Sequence, residues 1–192
     1  MNVGISFQLE GIFLDRDGVI NIERADYVKS WEEFQFLSGT QDAIQQLALL
    51  NVPIYIITNQ SCIGRGIRSR EQIDLIHEKM MAQFEGWGLS ITKIFMCPHH
   101  PDDGCRCRKP EPGMLLDAAE KYRLDLKKCV FIGDSITDFQ AAERAGCQSF
   151  LVRSGRQGAT FDSTFQQNTA VPIFDNLAEA VLYLCENQDS AG

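Results

Sequence analysis

The apolar positions of the chain fall into short runs that end abruptly in polar residues or cysteine. Four of these runs are rich in β-branched and aromatic residues: GIFL (11–14), VPIYII (52–57), ITKIFM (91–96) and CVFIG (129–133). Runs of this length and composition predict strands buried on both faces, as in a parallel sheet. SFLV (149–152) predicts a fifth strand, and VPIF (171–174) is a weaker candidate for a sixth.

Between these runs, apolar residues recur at the spacing of a helix. Ser69 and Gln72 form a capping-box pair, and the apolar stripe that follows them predicts a helix over 69–85. Shorter stripes predict further helices at 43–50, 114–119 and 139–145. Gly146 is suited to end the last of these.

Strands that alternate with helices predict an α/β fold, with a Rossmann-like parallel sheet flanked by helices on both faces. A chain of 192 residues is about the length of one domain, so we expect a single domain over 1–192. Residues 154–170 are polar and contain two glycines, and this composition predicts a long mobile loop.

The composition limits the possible partners and compartments. A formal net charge of −8 disfavours nucleic-acid binding, because nucleic-acid-binding proteins need a basic face. The N-terminal sequence MNVGISFQLEG has no signal-peptide pattern, and no run approaches the ~18 apolar residues of a membrane span. Seven cysteines without such a signal predict reduced thiols and a cytoplasmic location, where clustered cysteines are more typical of metal ligands than of disulfides.

Chemically active side chains directly follow four of the predicted strands. They are Asp15 and Asp17, then Thr58 and Asn59, then a cysteine cluster with Arg108 and Lys109, and finally Asp134. Ligands of parallel α/β sheets bind beyond the carboxyl ends of the strands, so we expect these side chains to share one site. Several carboxylates at one place require a cation, and hard oxygen ligands predict magnesium. A hydroxyl and an ammonium group beside this metal match a phosphoryl group.

Residues 97–110 read CPHHPDDGCRCRKP and contain three cysteines and two histidines. The C-x-H and C-x-C spacing of a zinc site is provided by Cys97, His99, Cys105 and Cys107. Four protein ligands leave no open position, so the zinc would be structural and would fix the approach of Arg108 and Lys109 to a phosphate. His100 is an alternative ligand, and unrelated neighbouring thiols are the alternative interpretation of the cluster.

DRDGV, TNQ, RKP and GDSITD, in this order between about residues 11 and 153, resemble the four motifs of the haloacid dehalogenase (HAD) superfamily phosphatases. The resemblance implies that Asp15 is the nucleophile, which forms an aspartyl-phosphate. Asp17 would be the general acid and then the general base. Thr58 would hold the phosphoryl group, and Lys109 would offset its charge. Magnesium would be bound by the carboxylates of Asp15 and Asp134 and by the backbone carbonyl of Asp17.

HAD enzymes often carry a cap domain that closes over the site and selects the substrate. Here 40 residues separate Asp17 from Thr58, and 50 separate Thr58 from Lys109. Predicted helices, strands and the cysteine cluster use most of both intervals. We therefore expect no cap domain, and an open site in which loops select the substrate.

The cysteine cluster narrows the resemblance to the zinc-bearing capless branch, which contains heptose 1,7-bisphosphate phosphatases and histidinol-phosphate phosphatases. DRDGVIN and TNQSCIGRG are more similar to the heptose enzymes, which implies hydrolysis of the 7-phosphate of D-glycero-D-manno-heptose 1,7-bisphosphate. By this resemblance the substrate pocket is lined by Glu23, Arg24, Ala25, Asp26, Thr58, Asn59, Gln60, Ser61, Arg108 and Lys109. Ser135 departs from the family, in which a lysine often follows the motif-four aspartate.

Other functions remain as alternatives. Histidinol phosphate or a nucleic-acid 3′-phosphate would keep the chemistry and change the substrate, although the net charge disfavours a polynucleotide. A zinc-stabilised binding module without catalysis is disfavoured, because the chain keeps Asp15, Asp17, Lys109 and Asp134. A cysteine-redox role is the weakest alternative. We expect a small phosphorylated sugar as the substrate, no nucleic-acid or membrane partner, and a monomer.

Overall fold

The computed structural model describes residues 8–161 and 163–188. Its strands are β1 (Gly11–Leu14), β2 (Ile54–Asn59), β3 (Lys93–Cys97), β4 (Cys129–Gly133), β5 (Gln148–Val152) and β6 (Ile173–Phe174). They form a sheet in the order β3-β2-β1-β4-β5-β6, and every pairing is parallel. The six strands predicted from the sequence and their parallel arrangement are confirmed.

The α-helices of the described chain are α1 (Thr40–Leu49), α2 (Ser61–Gly64), α3 (Arg70–Gly86), α4 (Gly113–Tyr122), α5 (Ile136–Ala145), α6 (Ser163–Thr169) and α7 (Leu177–Gln188). The four predicted helices correspond to α1, α3, α4 and α5. The predicted capping box opens α3: the Ser69 hydroxyl accepts from the Gln72 amide at 3.3 Å, and the Gln72 side chain accepts from the Ser69 amide at 3.0 Å. Gly146 ends α5 with a φ of 72°. The pattern did not predict α2, α6 or α7.

Residues 154–170 are not the long loop that their polar composition predicts. Gly158–Thr160 form a 3-10 turn, and α6 follows it. Phe161 is fully buried, and the ring of Phe165 packs edge-on against a ring of α5 with centroids 5.8 Å apart. Two aromatic side chains therefore dock an otherwise polar segment onto the domain, and average composition does not detect such an anchor.

The sheet separates two apolar layers. One face packs against α1, α3 and α7, which bury Ile44, Ile76 and Val181. The other face packs against α4 and α5, which bury Leu115 and Ala141. Helices on both faces confirm the Rossmann-like architecture that was predicted from the alternation of strands and helices.

The two intervals in which a cap domain was considered hold only small elements. Between β1 and β2 the described chain forms a 3-10 turn at Trp31–Glu33 and α1. Between β2 and Lys109 it forms α2, α3, β3, the cysteine loop and a 3-10 turn within that loop. No cap domain is therefore present in the described chain, as expected from the spacing.

Two expectations concern residues outside the described part. The missing signal peptide was predicted largely from residues 1–7, and the single domain over 1–192 includes both ends of the chain, so both stay predictions. None of the described helices is long and apolar enough to cross a membrane.

The register of the central strands brings the predicted site residues together. Leu14 of β1 is level with Ile56 of β2 on one side and with Ile132 of β4 on the other. The residues that follow these three positions therefore emerge at the same edge of the sheet.

Candidate active site

A cavity of about 310 Å³ lies at this edge, beyond the carboxyl ends of β1, β2 and β4. The sequence-predicted residues that line it are Asp15, Asp17, Glu23, Arg24, Ala25, Thr58, Asn59, Gln60, Ser61, Arg108, Lys109 and Asp134. Four separate stretches of the chain thus meet in one cavity, as the rule for ligand sites of parallel sheets predicts.

Lys109 is buried at the floor of this cavity. Its Nζ atom lies 2.8 Å from Oδ1 of Asp15 and 2.7 Å from Oδ1 of Asp138, and it donates to the carbonyl of Ile57 at 3.1 Å. These three acceptors use all three ammonium protons. Burial lowers the pKa of Lys109, but the charges of Asp138 and Asp15 outweigh burial and raise the pKa above its ordinary value. The lysine is therefore a permanent and immobile positive charge.

The carboxylates of Asp15, Asp134 and Asp138 place oxygen atoms within 4.8 Å of one another. Burial raises the pKa of Asp15 to about 7, against the attraction of Lys109. Burial, together with repulsion from Asp138 and Asp15, raises the pKa of Asp134 to about 10. Three carboxylates around one lysine leave an excess of negative charge, and clustered hard oxygen ligands fit a magnesium ion.

Asp138 connects the start of α5 with Lys109. Its Oδ2 accepts from the amides of Asp134 and Ser135 at 3.1 Å each, and from the Ser135 hydroxyl at 2.6 Å. The Ser135 hydroxyl in turn accepts from the Asp138 amide at 3.2 Å. These bonds use Oδ2, while Oδ1 faces Lys109, so Asp15 and Asp134 are the two carboxylates available to a metal.

The Asp17 carboxylate is surrounded by hydrogen-bond donors. The fully buried Arg16 donates from Nη2 to both oxygens, at 2.9 and 2.7 Å, and from Nε to Oδ2 at 3.1 Å. Asn21 and Gln60 add side-chain bonds of 2.9 and 2.8 Å. Burial raises the pKa of Asp17, but Arg16, Asn21 and Gln60 together outweigh burial and lower the pKa below its ordinary value. The side chain is thus held as an anion in one orientation.

Gln60 links Asp17 to Thr58. Its Nε2 donates to Oδ2 of Asp17 and also, at 2.9 Å, to Oγ1 of the buried Thr58. Because Thr58 Oγ1 accepts this bond, its own hydroxyl proton is available to an oxygen atom in the cavity. The hydroxyl is therefore suited to donate to a phosphoryl oxygen.

Asn59 lines the cavity, but its side-chain amide is engaged with the backbone of Lys109. Nδ2 donates to the Lys109 carbonyl and Oδ1 accepts from the Lys109 amide, both at 3.2 Å. The sequence predicted a substrate contact for Asn59. In the structure its polar atoms orient Lys109, because the loop after β3 brings the Lys109 backbone beside the end of β2.

The structure gathers Cys97, His99, Cys105 and Cys107 into one cluster, with one ligand atom of each within 4.8 Å of the others. The Cys97 Sγ lies 3.6 Å from both the Cys105 Sγ and the His99 Nδ1. The Cys107 Sγ lies 3.5 Å from the Cys105 Sγ and 3.2 Å from the His99 Nδ1. Atoms on the corners of a tetrahedron around zinc, with Zn–S bonds of about 2.3 Å, are separated by about 3.7 Å, so the residues fit this metal.

His100, the alternative ligand, does not join the cluster. Its Nδ1 accepts from the Asp102 amide at 3.3 Å and caps the 3-10 turn Pro101–Asp103. This bond directs the ring away from the cysteines.

The cysteine loop is also tied to the neighbouring wall of the cavity. The Gln60 amide donates to the Cys97 carbonyl and the Gly64 amide donates to the Pro98 carbonyl, both at 2.8 Å. A β-carbon at Gly64 would overlap the backbone of His100, so only glycine allows α2 to come this close. The loop therefore fixes Lys109 and the stretch around Thr58 relative to each other.

Two predicted substrate contacts differ in their surroundings. Asp26 does not line the cavity. Its exposed carboxylate pairs with Lys29 and Arg24, which hold it at the surface. Arg108 lines the cavity, and its Nη1 is buried and has no hydrogen-bond partner among the described residues. A buried cationic donor without a partner is suited to an anionic oxygen of a ligand.

Sequence reasoning missed part of the cavity wall, including Arg16, Tyr27, Val28, Pro101, Thr137, Arg156 and Gln157. The segment after β5 closes one side: the Ser154 hydroxyl donates to the Gly18 carbonyl at 2.7 Å, and the Arg156 amide donates to Glu23 at 3.1 Å. A β-carbon at Gly18 or Gly155 would overlap the Asp134 carboxylate. The strand-end rule, if it had been applied to SFLV as well, would have pointed to this segment.

Comparison with known proteins gives a family. Residues 106–180 match the family described as HAD-hydrolase-like. The chain is 44% identical over 144 residues to a D-glycero-beta-D-manno-heptose-1,7-bisphosphate 7-phosphatase of Bordetella bronchiseptica, an alignment that covers 75% of this chain and 80% of the relative. It is 40% identical over 151 residues to a D-glycero-alpha-D-manno-heptose-1,7-bisphosphate 7-phosphatase of Photorhabdus laumondii, with 74% and 82% covered.

A solved structure has the same fold. It is the D,D-heptose 1,7-bisphosphate phosphatase from B. bronchiseptica complexed with magnesium and phosphate. It matches with a TM-score of 0.85 and 39% identity, over 93% of this chain and 99% of that chain. This likeness confirms the HAD-type sheet without a cap domain.

Proposed function

Because the chain belongs to the family of the D-glycero-D-manno-heptose-1,7-bisphosphate 7-phosphatases, which are HAD-like hydrolases, we propose that it hydrolyses the 7-phosphate of D-glycero-D-manno-heptose 1,7-bisphosphate. The observation that carries this proposal is the position of Lys109, 2.8 Å from Asp15, in a cavity shared with Asp17 and Asp134. A nucleophile, a fixed cation, an acid/base group and a metal-binding carboxylate together suffice for phosphomonoester hydrolysis.

In the first step, Asp15 attacks the phosphorus atom in line with the sugar oxygen. The Arg16 amide and Lys109 both donate to Oδ1 of Asp15, at 2.7 and 2.8 Å, so we assign the attack to Oδ2. The bond from phosphorus to the sugar oxygen breaks as an aspartyl-phosphate forms. Asp17 gives its proton to the leaving oxygen, and the dianionic phosphate beside Asp17 raises the pKa of this carboxyl from its lowered resting value so that it binds that proton.

In the second step, Asp17 takes a proton from a water molecule that attacks the aspartyl-phosphate. The bond between phosphorus and Asp15 breaks, and inorganic phosphate leaves. A general base has to be deprotonated, and the hydrogen bonds that Asp17 accepts from Arg16, Asn21 and Gln60 favour its anionic form. Thr58 donates its hydroxyl proton to a phosphoryl oxygen throughout, because Gln60 already satisfies its acceptor.

We assign magnesium to the carboxylates of Asp15 and Asp134 and to the backbone carbonyl of Asp17, where the ion would offset the charge of the phosphoryl oxygens.

We assign zinc to Cys97, His99, Cys105 and Cys107 as a structural ion. It replaces an apolar core in a loop that carries Arg108 and Lys109 into the cavity. Arg108 is the residue we assign to the second phosphate or the sugar hydroxyls, with Glu23, Arg24 and Ala25 at the mouth.

We place the enzyme in the cytoplasm as a monomer. No disulfide links the cysteines of the described residues, which fits a reducing compartment and a zinc–thiolate site.

The proposal is tested by phosphate release with magnesium from both anomers of D-glycero-D-manno-heptose 1,7-bisphosphate, next to histidinol phosphate. We expect turnover of the heptose substrate to exceed that of histidinol phosphate by orders of magnitude, and the ratio between the anomers assigns the preferred one. Turnover of histidinol phosphate alone would overturn the sugar assignment and leave the phosphatase chemistry in place.

A further inference from the structure

A buried arginine lies beneath the proposed acid/base group and has a second partner on a distant helix. Arg16 donates three bonds to the Asp17 carboxylate with one edge of its guanidinium, and its Nη1 lies 3.1 Å from Nε2 of His77. His77 belongs to α3, 61 residues further along the chain, and it does not line the catalytic cavity. The mechanism above uses the backbone amide of Arg16, but neither its guanidinium nor His77.

The direction of the contact with His77 follows from chemistry. A guanidinium group can only donate, so Nε2 of His77 has to accept, and the ring proton resides on Nδ1. Burial and the charge of Arg16 lower the pKa of His77 to about 3, so the ring stays neutral and keeps its acceptor at working pH. The histidine therefore holds the far edge of the guanidinium by a directional bond.

The position of the His77 ring is itself fixed. On the buried face of α3, His77 lies four residues after Ile73 and three before Met80, so the three side chains are neighbours on one face. All three are buried. The capping box of Ser69 and Gln72 sets where this helix begins. The ring is thus anchored by the core and not by the cavity, so it provides a fixed point from which Arg16 can be oriented.

We propose that His77, acting through Arg16, is a positioning residue that fixes the orientation of the Asp17 carboxylate toward the leaving oxygen. The inference rests on the acid/base role of Asp17 in the proposed function. Asp17 has to reach the leaving oxygen in the first step and water in the second, and a displacement of about 1 Å of such a group costs up to about 10²-fold in rate. Asn21 and Gln60 alone contact one oxygen each, whereas Arg16 contacts both.

Three substitutions of His77 distinguish the effect of its hydrogen-bond acceptor from the effect of its packing volume. In His77→Gln, the amide oxygen can occupy the place of Nε2 and accept from Arg16. In His77→Asn, the shorter side chain reaches only the place of Nδ1, and in His77→Leu the volume is kept without an acceptor. We expect kcat for the sugar phosphate to fall about 10- to 100-fold in His77→Leu and His77→Asn, with KM nearly unchanged, and His77→Gln to recover most of the rate.

The leaving group distinguishes acid positioning from a general structural defect. A sugar alkoxide needs a proton in order to leave, whereas p-nitrophenolate leaves without one. The first-turnover burst of p-nitrophenolate from p-nitrophenyl phosphate therefore reports attack by Asp15 without help from an acid. We expect the burst rate of His77→Leu to stay close to that of the wild-type enzyme while its single-turnover rate with the sugar phosphate falls.

Equal losses on both substrates, or equal losses in His77→Gln and His77→Leu, would overturn the inference and make His77 a packing residue. Melting temperatures of the three variants identify a loss that comes from unfolding. The wild-type substrate panel tests the proposed function separately: if another alkyl phosphate proves to be the substrate, the same comparison is made with that substrate.

Discussion

The Nζ atom of Lys109 lies 2.7 Å from Oδ1 of Asp138, the residue whose other carboxylate oxygen caps the first turn of α5. Helix α5 and the proposed catalytic cation are therefore held by one buried side chain. Lys109 is in turn aligned through its backbone by Asn59 and is carried by the cysteine loop. The charge at the centre of the site is thus positioned from three directions.

Asp138→Asn removes one of the two carboxylates that hold Lys109 and keeps the size of the side chain. We expect the free energy of unfolding to fall by about 3 kcal/mol, because both oxygens of Asp138 accept buried bonds, and the amide nitrogen of asparagine leaves one set of these donors without an acceptor. We also expect a clear loss of kcat, because Lys109 loses its second partner. Ser135→Ala is the matched control: it removes a cap bond worth about 1 kcal/mol and leaves both carboxylates in place, so it keeps more of the kcat. Chemical denaturation and phosphate release measure both effects, and a loss of kcat no greater in Asp138→Asn than in the control would contradict this account.

Asp15→Asn removes the proposed nucleophile and one of the three clustered carboxylates. We expect no phosphate release above background, because the neutral amide does not attack phosphorus. The pKa values of Asp15 and Asp134 are raised because burial and mutual repulsion make their charged forms unfavourable in the folded protein. A neutral side chain at position 15 relieves this repulsion, so the melting temperature without magnesium should not fall. Retained turnover in the folded variant would assign the nucleophile to another residue.

The cysteine cluster predicts one zinc ion per chain, which elemental analysis of the purified protein can count. In Cys107→Ser we expect loss of the zinc, a lower melting temperature and a lower kcat even with saturating magnesium, because Lys109 follows the loop by two residues. Cys185→Ser, outside the cluster, should keep the zinc. A zinc-free wild-type protein with full activity would remove the structural role assigned to the metal.

Arg108→Ala tests the guanidinium at the cavity wall, whose buried Nη1 has no hydrogen-bond partner among the described residues. We expect KM for the bisphosphate to rise about 10- to 100-fold, because a hydrogen bond to a charged group contributes about 1.5–3 kcal/mol. For the heptose 7-phosphate, which lacks the second phosphate, the rise should be small. Arg106→Ala removes an exposed arginine from the same loop, where it pairs with Asp117, and should leave both KM values unchanged. An equal rise for both substrates would move Arg108 from the second phosphate to the sugar or the reacting phosphate.

Stability should depend on pH through His77. Its pKa is about 3 in the folded protein and 6.5 in an unfolded chain, so below pH 6.5 the unfolded chain binds the extra proton first. The contribution of the neutral ring is full above pH 6.5 and is lost as pH falls, by about 2 kcal/mol between pH 6.5 and about pH 5. The charged groups that act on the ring are Arg16, Asp17 and Arg70. In His77→Gln the same pH interval should lose less stability in denaturant titrations, and parallel curves for the two proteins would show that His77 does not titrate on unfolding.

The part of the site that the sequence could predict is the part that follows strand ends. Asp15, Thr58 and Asp134 each come directly after an apolar run, and a parallel sheet brings such positions together whatever the details of packing. The cysteine cluster was predictable for a similar reason, because its ligands are close in sequence and their spacing carries the chemistry.

The remainder depends on contacts between distant segments that leave no local pattern. The bond between Arg16 and His77 spans 61 residues, and His77 by itself looks like one more residue beside an apolar stripe. Asn59 is the last residue of β2, and its side-chain amide is bonded to the backbone of Lys109, which lies 50 residues further along the chain in the loop after β3. Residues 154–170 were misjudged because Phe161 and Phe165 are too few to change the average composition of the segment.

The Asp134 carboxylate is enclosed by the backbone of Gly18 and Gly155, where any β-carbon would overlap it. Neither glycine offers a functional group, yet a library of all single substitutions should find both positions as intolerant as the aspartate itself. The sequences that can carry this site are therefore limited by the space around the Asp134 carboxylate as well as by the catalytic side chains. A search for relatives that scores only the aspartates, the threonine and the lysine would accept sequences in which the room for Asp134 has been lost.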